Sequence, residues 1–138
     1  MPPMTVSPNP PDCAAPEPPV ILLVEDDGLL LMEAADTLAE AGFQVVEAPH
    51  ADKALQVLES AQEVDALMTD VDMPLGSIDG LALARLVARR WPWIPVLVVS
   101  GMGTPGPHDM PDGARFIPKP YAPCNLVQAL HDCVRRAA

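Results

Sequence analysis

The sequence predicts an α/β fold, a doubly wound sheet of five parallel strands, and three observations carry that prediction. Short, almost wholly apolar runs recur along the chain, as in strands hydrophobic on both faces. Helix-period patterns separate most of these runs. Polar residues then stand where the runs stop: Glu25 and Asp26, Asp70, Ser100, and Lys119 just beyond Phe116-Ile117.

The first strand is Val20–Val24. A helix follows from about Leu29 to Ala41, with Asp27 as its N-cap and Gly42 as its stop. Phe43–Ala48 is the second strand. Ala51, Ala54, Leu55 and Leu58, spaced i, i+3, i+4, i+7, mark the inner face of the second helix. Asp65–Thr69 is the third strand, and Asp79 caps a third helix whose inner face includes Leu83, Leu86 and Val87. Val96–Val99 and a short run around Arg115–Ile117 complete the strands. The last helix opens at Pro123, since proline suits a first helical turn, and buries Leu126, Val127, Leu130 and Val134. Strands alternating with helices imply a parallel sheet with helices on both faces.

One helix is missing from the repeat. Residues 101–113, GMGTPGPHDMPDG, combine glycines with Pro105, Pro107 and Pro111. A proline inside a helix costs roughly 3 kcal/mol and a glycine about 1, so a loop is expected in place of the fourth helix. The first nineteen residues, MPPMTVSPNPPDCAAPEPP, read as an extended, disordered tail, because proline lacks the N–H that ladders need. The organisation is therefore a tail over 1–19 and one domain over 20–138, a length that builds one core.

Net charge is −11, which argues against nucleic-acid binding. The N-terminus carries no signal-peptide pattern and no apolar run is long enough to span a bilayer, so a cytoplasmic protein is expected. Cys13, Cys124 and Cys133 have no metal-ligand spacing and read as reduced thiols.

In an open parallel sheet, ligands bind outside the carboxyl ends of the strands. That rule gathers Glu25, Asp26, Asp70, Ser100 and Lys119 around one point. Two unit charges 4 Å apart repel by roughly 4 kcal/mol at an effective dielectric near 20. Three clustered carboxylates therefore raise a pKa or bind a cation, and hard oxygen donors on short loops suit Mg2+. With Lys119 as a fixed positive charge and Ser100 as a hydroxyl donor, the set fits phosphoryl transfer to a carboxylate, Asp70 being the natural acceptor.

Four segments then resemble a known family. Ile21-Leu-Leu-Val-Glu-Asp-Asp27, Met68-Thr-Asp-Val-Asp-Met-Pro74 with Asp79-Gly80, Val98-Val-Ser-Gly101 and Phe116-Ile-Pro-Lys-Pro120 are similar, in order and spacing, to the receiver domain of two-component response regulators. The resemblance implies a flavodoxin-like fold with Asp70 as phosphoacceptor and Asp26 as a direct Mg2+ ligand. Glu25 would act mainly through water, and the backbone carbonyl of Asp72 would join the ligand set with Asp70. It implies Ser100 as switch hydroxyl, Lys119 as phosphoryl partner, Phe116 as switch aromatic, and a cis bond before Pro120. The loop after Asp70 looks two residues longer than usual for the family.

The implied partners are a sensor histidine kinase or a histidine phosphotransfer protein and an unidentified downstream protein, with no nucleic acid and no membrane. The chain would act as a monomer or weak dimer, either a stand-alone receiver or one excised from a longer protein, and not as an enzyme. Two alternatives stand beside it. Asp70-Val-Asp72 after a strand also suits an aspartyl phosphatase of the haloacid dehalogenase class, although Met73-Pro74 and the lack of room for a cap domain speak against that. A pseudo-receiver that binds partners without phosphorylation would lack an acceptor, ligand or lysine, and none is lacking.

Overall fold

A computed structural model describes residues 18–71, 79–101 and 110–137. In chain order the elements are β1 (Val20–Val24), α1 (Gly28–Glu40), β2 (Gln44–Ala48), α2 (Ala51–Glu59), β3 (Ala66–Asp70), α3 (Gly80–Arg90), β4 (Val96–Ser100), β5 (Arg115–Pro118) and α4 (Pro123–Ala137). The strands form one sheet in the order β2-β1-β3-β4-β5, and every pairing is parallel.

Strand alternation divides the core in two. Ile21 and Leu23 of β1 face one way, with Met68 of β3 and Leu97 and Val99 of β4, against Leu31 and Leu38 of α1 and Leu126 and Leu130 of α4. Leu22 and Val24 face the other way, with Leu67 and Val98, against Ala54 and Leu58 of α2 and Leu83 and Val87 of α3. The central strands are buried on both sides because both sides are covered. Within the last helix Cys133 is also buried, so this thiol serves as a small core side chain.

Helix ends follow local chemistry. Asp27 accepts from the backbone N–H of Leu29 and Leu30 at 3.0 and 3.1 Å, and Asp79 accepts from Ala82 at 2.8 Å. His50 caps α2, its Nδ1 accepting from the N–H of Lys53 at 3.1 Å. At the end of α1, Gly42 takes a φ of +97°, which lets the N–H of Phe43 return to the carbonyl of Leu38 at 3.0 Å.

Several strand boundaries differ from the sequence reading. Phe43 belongs to that helix-closing turn, so β2 begins at Gln44. Asp65 lies outside β3, its carboxylate accepting from the N–H of Val20 at 2.7 Å. Asp70 and Ser100 lie inside their strands, since the ladders continue through Asp70↔Val99 and Ser100↔Pro118. Between β4 and β5, the described residues 101 and 110–114 form no helix. The expected loop otherwise falls on 102–109, and the tail on 1–17, both outside the described residues. Among the described residues no helix is long and apolar enough to cross a membrane.

Candidate functional site

The strand order reverses direction between β1 and β3: the chain moves outward to β2 from one and to β4 and β5 from the other. A crevice opens at the carboxyl ends beside such a switch point. Glu25 and Asp26 follow β1, Asp70 ends β3, Ser100 ends β4 and Lys119 follows β5. All five therefore lie along one edge of the sheet, as the sequence reading expected.

Glu25, Asp70 and Ser100 are 6%, 4% and 3% exposed, unusual burial for such groups. The Lys119 Nζ stands 2.9 Å from Glu25 Oε1 and 2.9 Å from Asp70 Oδ2, so one ammonium bridges two buried carboxylates. Carboxylate oxygens of Glu25, Asp26 and Asp70 all lie within 4.8 Å of one another. Burial, the largest influence, pushes the Glu25 carboxyl up to about 7, against the pull of Lys119; its hydrogen-bond neighbour Asp70 pushes the same way. Burial alone would lower the Lys119 ammonium, but its bonds to Glu25 and Asp70 outweigh that and raise it.

The backbone holds this arrangement from several directions. The N–H of Glu25 donates to the carbonyl of Ala48, that of Val71 to Val99, and that of Lys119 to Ser100. The second carboxylate oxygen of Glu25 accepts from the N–H of Asp27 at 3.2 Å, and the Lys119–Pro120 peptide is cis. Phe116 is half-buried, opposite Val98 in the ladder and against the α2/α3 core. The carbonyl of Asp72 lies outside the described residues.

Two features escaped the sequence reading. A Cβ added to Gly80 would lie 1.8 Å from the carbonyl oxygen of Asp70 and 2.6 Å from its carbonyl carbon. The first turn of α3 thus abuts the backbone of the central carboxylate, and only glycine permits that approach. Beside the cluster, a cavity of about 560 Å3 runs between Leu30, Glu33, Ala34 and Thr37 of α1 and Lys119, Pro120 and Tyr121. Elsewhere on α1, Leu29 is 60% exposed and Met32 54%. A pattern of consecutive leucines cannot show which of them face water.

Two buried carboxylates share one ammonium at the sheet's switch point, and with Asp26 they form a group that could hold a metal ion. The model of the response regulator receiver domain matches residues 21–131, and the chain belongs to that family. Curated relatives include the response regulator protein FleR of Pseudomonas aeruginosa, 35% identical over 121 residues, 86% of this chain and 24% of that protein. The C4-dicarboxylate transport transcriptional regulatory protein DctD of Rhizobium meliloti is 37% identical over 117 residues, 79% of this chain and 24% of that protein. For the NtrX-like putative regulator of Rickettsia conorii the match covers 18% of its length, so the chain spans a quarter or less of these relatives.

Among solved structures, a response regulator receiver protein of Sinorhizobium medicae is 26% identical with a TM-score of 0.82, covering 88% of this chain and 98% of that one. A CheY-like receiver domain protein of Methanospirillum hungatei, 21% identical with a TM-score of 0.77, shares the fold over 87% of this chain and 96% of its own. The chain is thus a receiver domain with a flavodoxin-like five-stranded parallel sheet.

Proposed function

We propose that this chain accepts a phosphoryl group on Asp70 from the phosphohistidine of a sensor kinase or phosphotransfer protein, and that the modified domain then switches partner binding. The observation that carries this reading is the double bridge of Lys119 to Glu25 and Asp70 at 2.9 Å, inside the three-carboxylate cluster. In the transfer, an oxygen of Asp70 attacks phosphorus, the bond from phosphorus to the donor histidine nitrogen breaks, and that nitrogen keeps the electron pair. The product is an acyl phosphate.

Lys119 is already beside the attacking carboxylate and can stay paired with it as the charge passes to phosphoryl oxygens. Ser100 ends the neighbouring strand and would donate its hydroxyl to one of those oxygens. The donor set is all hard oxygen and strongly anionic, which fits Mg2+. Asp26 and Asp70 would hold the ion directly, Glu25 through water, and the carbonyl of Asp72 would complete the set. When bound, Mg2+ would neutralise charge on the phosphoryl group. Leu29, Leu30 and Met32, exposed apolar side chains of the helix that follows Glu25 and Asp26, would give a donor protein a surface to rest on.

Incubation with a small phosphodonor, with and without Mg2+, and intact-mass measurement tests the reading. One acid-stable, hydroxylamine-sensitive phosphoryl group per chain is expected, and only with the metal. Steady release of phosphate from a generic ester would instead favour the phosphatase alternative. Asp26→Ala should weaken Mg2+ binding in a titration followed by NMR shifts, and an unchanged titration would remove Asp26 from the ligand set.

A further inference from the structure

The opposite end of the sheet carries a second feature, away from the carboxylate cluster. Trp91 and Trp93, the two tryptophans of the chain, line a groove of about 370 Å3 together with Leu58, Ile94, Glu63 and Asp65. Leu58 and Ile94 are buried, whereas Trp93 is 67% exposed, the most exposed large apolar side chain among the described residues. The turn that presents the indoles is fixed. The N–H of Trp91 donates to the carbonyl of Val87 at 2.7 Å and that of Ile94 to the carbonyl of Trp91 at 2.9 Å, with Pro92 restricting the backbone between them. A groove set by backbone bonds has little freedom to lose when an occupant enters.

Charge decides what that occupant is. Among the described residues lining the groove, two are acidic and none is basic. The Asp65 carboxylate is anchored by the N–H of Val20 at 2.7 Å. Glu63 is exposed and joins none of the ion pairs among the described residues. Arg90 closes α3 nearby, but Glu59 at 2.9 Å balances its charge, and the exposed Arg89 lies outside the lining. Arg90 also shows how a guanidinium meets an indole in this fold: its Cζ stands 4.4 Å from the centroid of the Trp91 ring. Trp93, largely in water, offers a second such platform.

We propose that this groove docks an arginine-bearing segment of a partner protein, with a guanidinium on the Trp93 indole facing Glu63 and a neighbouring apolar side chain in the groove. An indole beside a carboxylate selects a cation with an apolar stem. A guanidinium can stack on the ring and pair with the carboxylate at once, which a compact, strongly hydrated ammonium does less well. An acidic segment would be repelled by Glu63 and Asp65, and a wholly apolar one would strip water from them without compensation. The net charge of −11 draws a basic partner from a distance. Asp65 precedes β3 and Ile94 precedes β4, so the groove lies at the amino ends of strands whose carboxyl ends carry Asp70 and Ser100. Docking there leaves the carboxylate crevice open, so the attachment is independent of any modification of Asp70.

The test titrates the full, unphosphorylated chain with two short acetylated peptides, one alternating arginine with leucine and one with glutamate in place of arginine. Because Trp91 and Trp93 are the two tryptophans of the chain, intrinsic fluorescence and the indole N–H resonances report on the groove itself. The arginine peptide should change both, with an affinity that falls as salt is added, and the glutamate peptide should change neither. Glu63→Gln should weaken binding about two- to fivefold, as the loss of one exposed ion pair does. Glu47→Gln, which removes an equal charge from an exposed position on the edge strand β2, should leave it as it was. Trp93→Ala should weaken binding at least about tenfold, followed by backbone amide shifts, while core methyl resonances stay in place. Equal responses to the two peptides, equal weakening by Glu47→Gln and Glu63→Gln, or amide shifts centred on Asp26 and Asp70 would each overturn the proposal. So would saturation by free arginine amide at the same concentration, in favour of a small cation as occupant.

Discussion

Ion pairs of equal length stand at opposite ends of the sheet. At the carboxyl ends, Lys119 lies 2.9 Å from Glu25 and from Asp70, whose side chains are 8% and 5% exposed. Near the amino ends, Arg90 lies 2.9 Å from Glu59, with side chains 47% and 51% exposed. The distances match and the energetics do not. Water solvates Arg90 and Glu59 whether or not they meet, so the pair is worth about 0–1 kcal/mol. The carboxylates at the other end have lost most of their water and depend on the ammonium they share. Burial, and not contact distance, separates a site from surface decoration here.

The sharpest way to break this contrast is to remove the central carboxylate. Asp70→Asn should abolish hydroxylamine-sensitive labelling, since an amide cannot form an acyl phosphate, and intact mass would show it. The same substitution removes one of three mutually repelling carboxylates. The metal-free protein should therefore melt at the same temperature as wild type or somewhat higher. Labelling retained at the normal level would place the acceptor elsewhere.

Lys119→Met comes next. It leaves Glu25 and Asp70 buried beside each other without the ammonium they share. Breaking a fully buried pair costs about 3–5 kcal/mol, and partial exposure of Lys119 brings the expected loss to about 1–3 kcal/mol. Urea unfolding would measure it, and Mg2+ should recover part of the loss. Gly80→Ala should follow closely, because a methyl group cannot share space with the Asp70 carbonyl and the first turn of α3 must shift. A loss of about 1–3 kcal/mol with slowed labelling is expected, and wild-type behaviour in both would show that the turn yields without moving Asp70.

A smaller effect is pH-dependent. Glu25 is raised to about 7 in the folded chain, from an ordinary value near 4.5 that the unfolded chain retains. Between those values the folded state holds the proton more tightly, so this group's contribution to stability falls as pH rises through that window. Metal-free protein should lose melting temperature from pH 5 to pH 8, and Glu25→Gln should flatten the slope. Smallest of all, Arg90→Ala should cost about 1 kcal/mol or less, combining an exposed ion pair with stacking on Trp91. A loss comparable to that of Lys119→Met would erase the distinction between the two ends.

The central strands, and the position of the five polar residues at the carboxyl ends of the sheet, were legible because burial on both faces writes an uninterrupted apolar run and polar residues stand where the runs stop. Asp70 and Ser100 were placed one residue too far out for the same reason: a ladder is made by the backbone and runs on through a polar side chain. What the sequence does not carry is approach between segments distant along the chain. Nothing local says that Gly80 touches the Asp70 carbonyl, or that one lysine meets two carboxylates at once. Nor does a run of leucines in α1 say that Leu31 is buried while Leu29 is exposed.

The lysine bridge has a consequence for how the chain is made. Glu25 and Lys119 are 94 positions apart, and β5, which delivers the lysine, is the last strand in chain order. During synthesis the acidic residues emerge first, and their counter-charge arrives only when nearly the whole domain has left the ribosome. A shortened or incompletely docked chain would hold the carboxylates without the ammonium that bridges them. Completion of the sheet and assembly of the charged pocket are therefore one event, and an unfinished molecule lacks the arrangement on which a phosphoryl signal would depend.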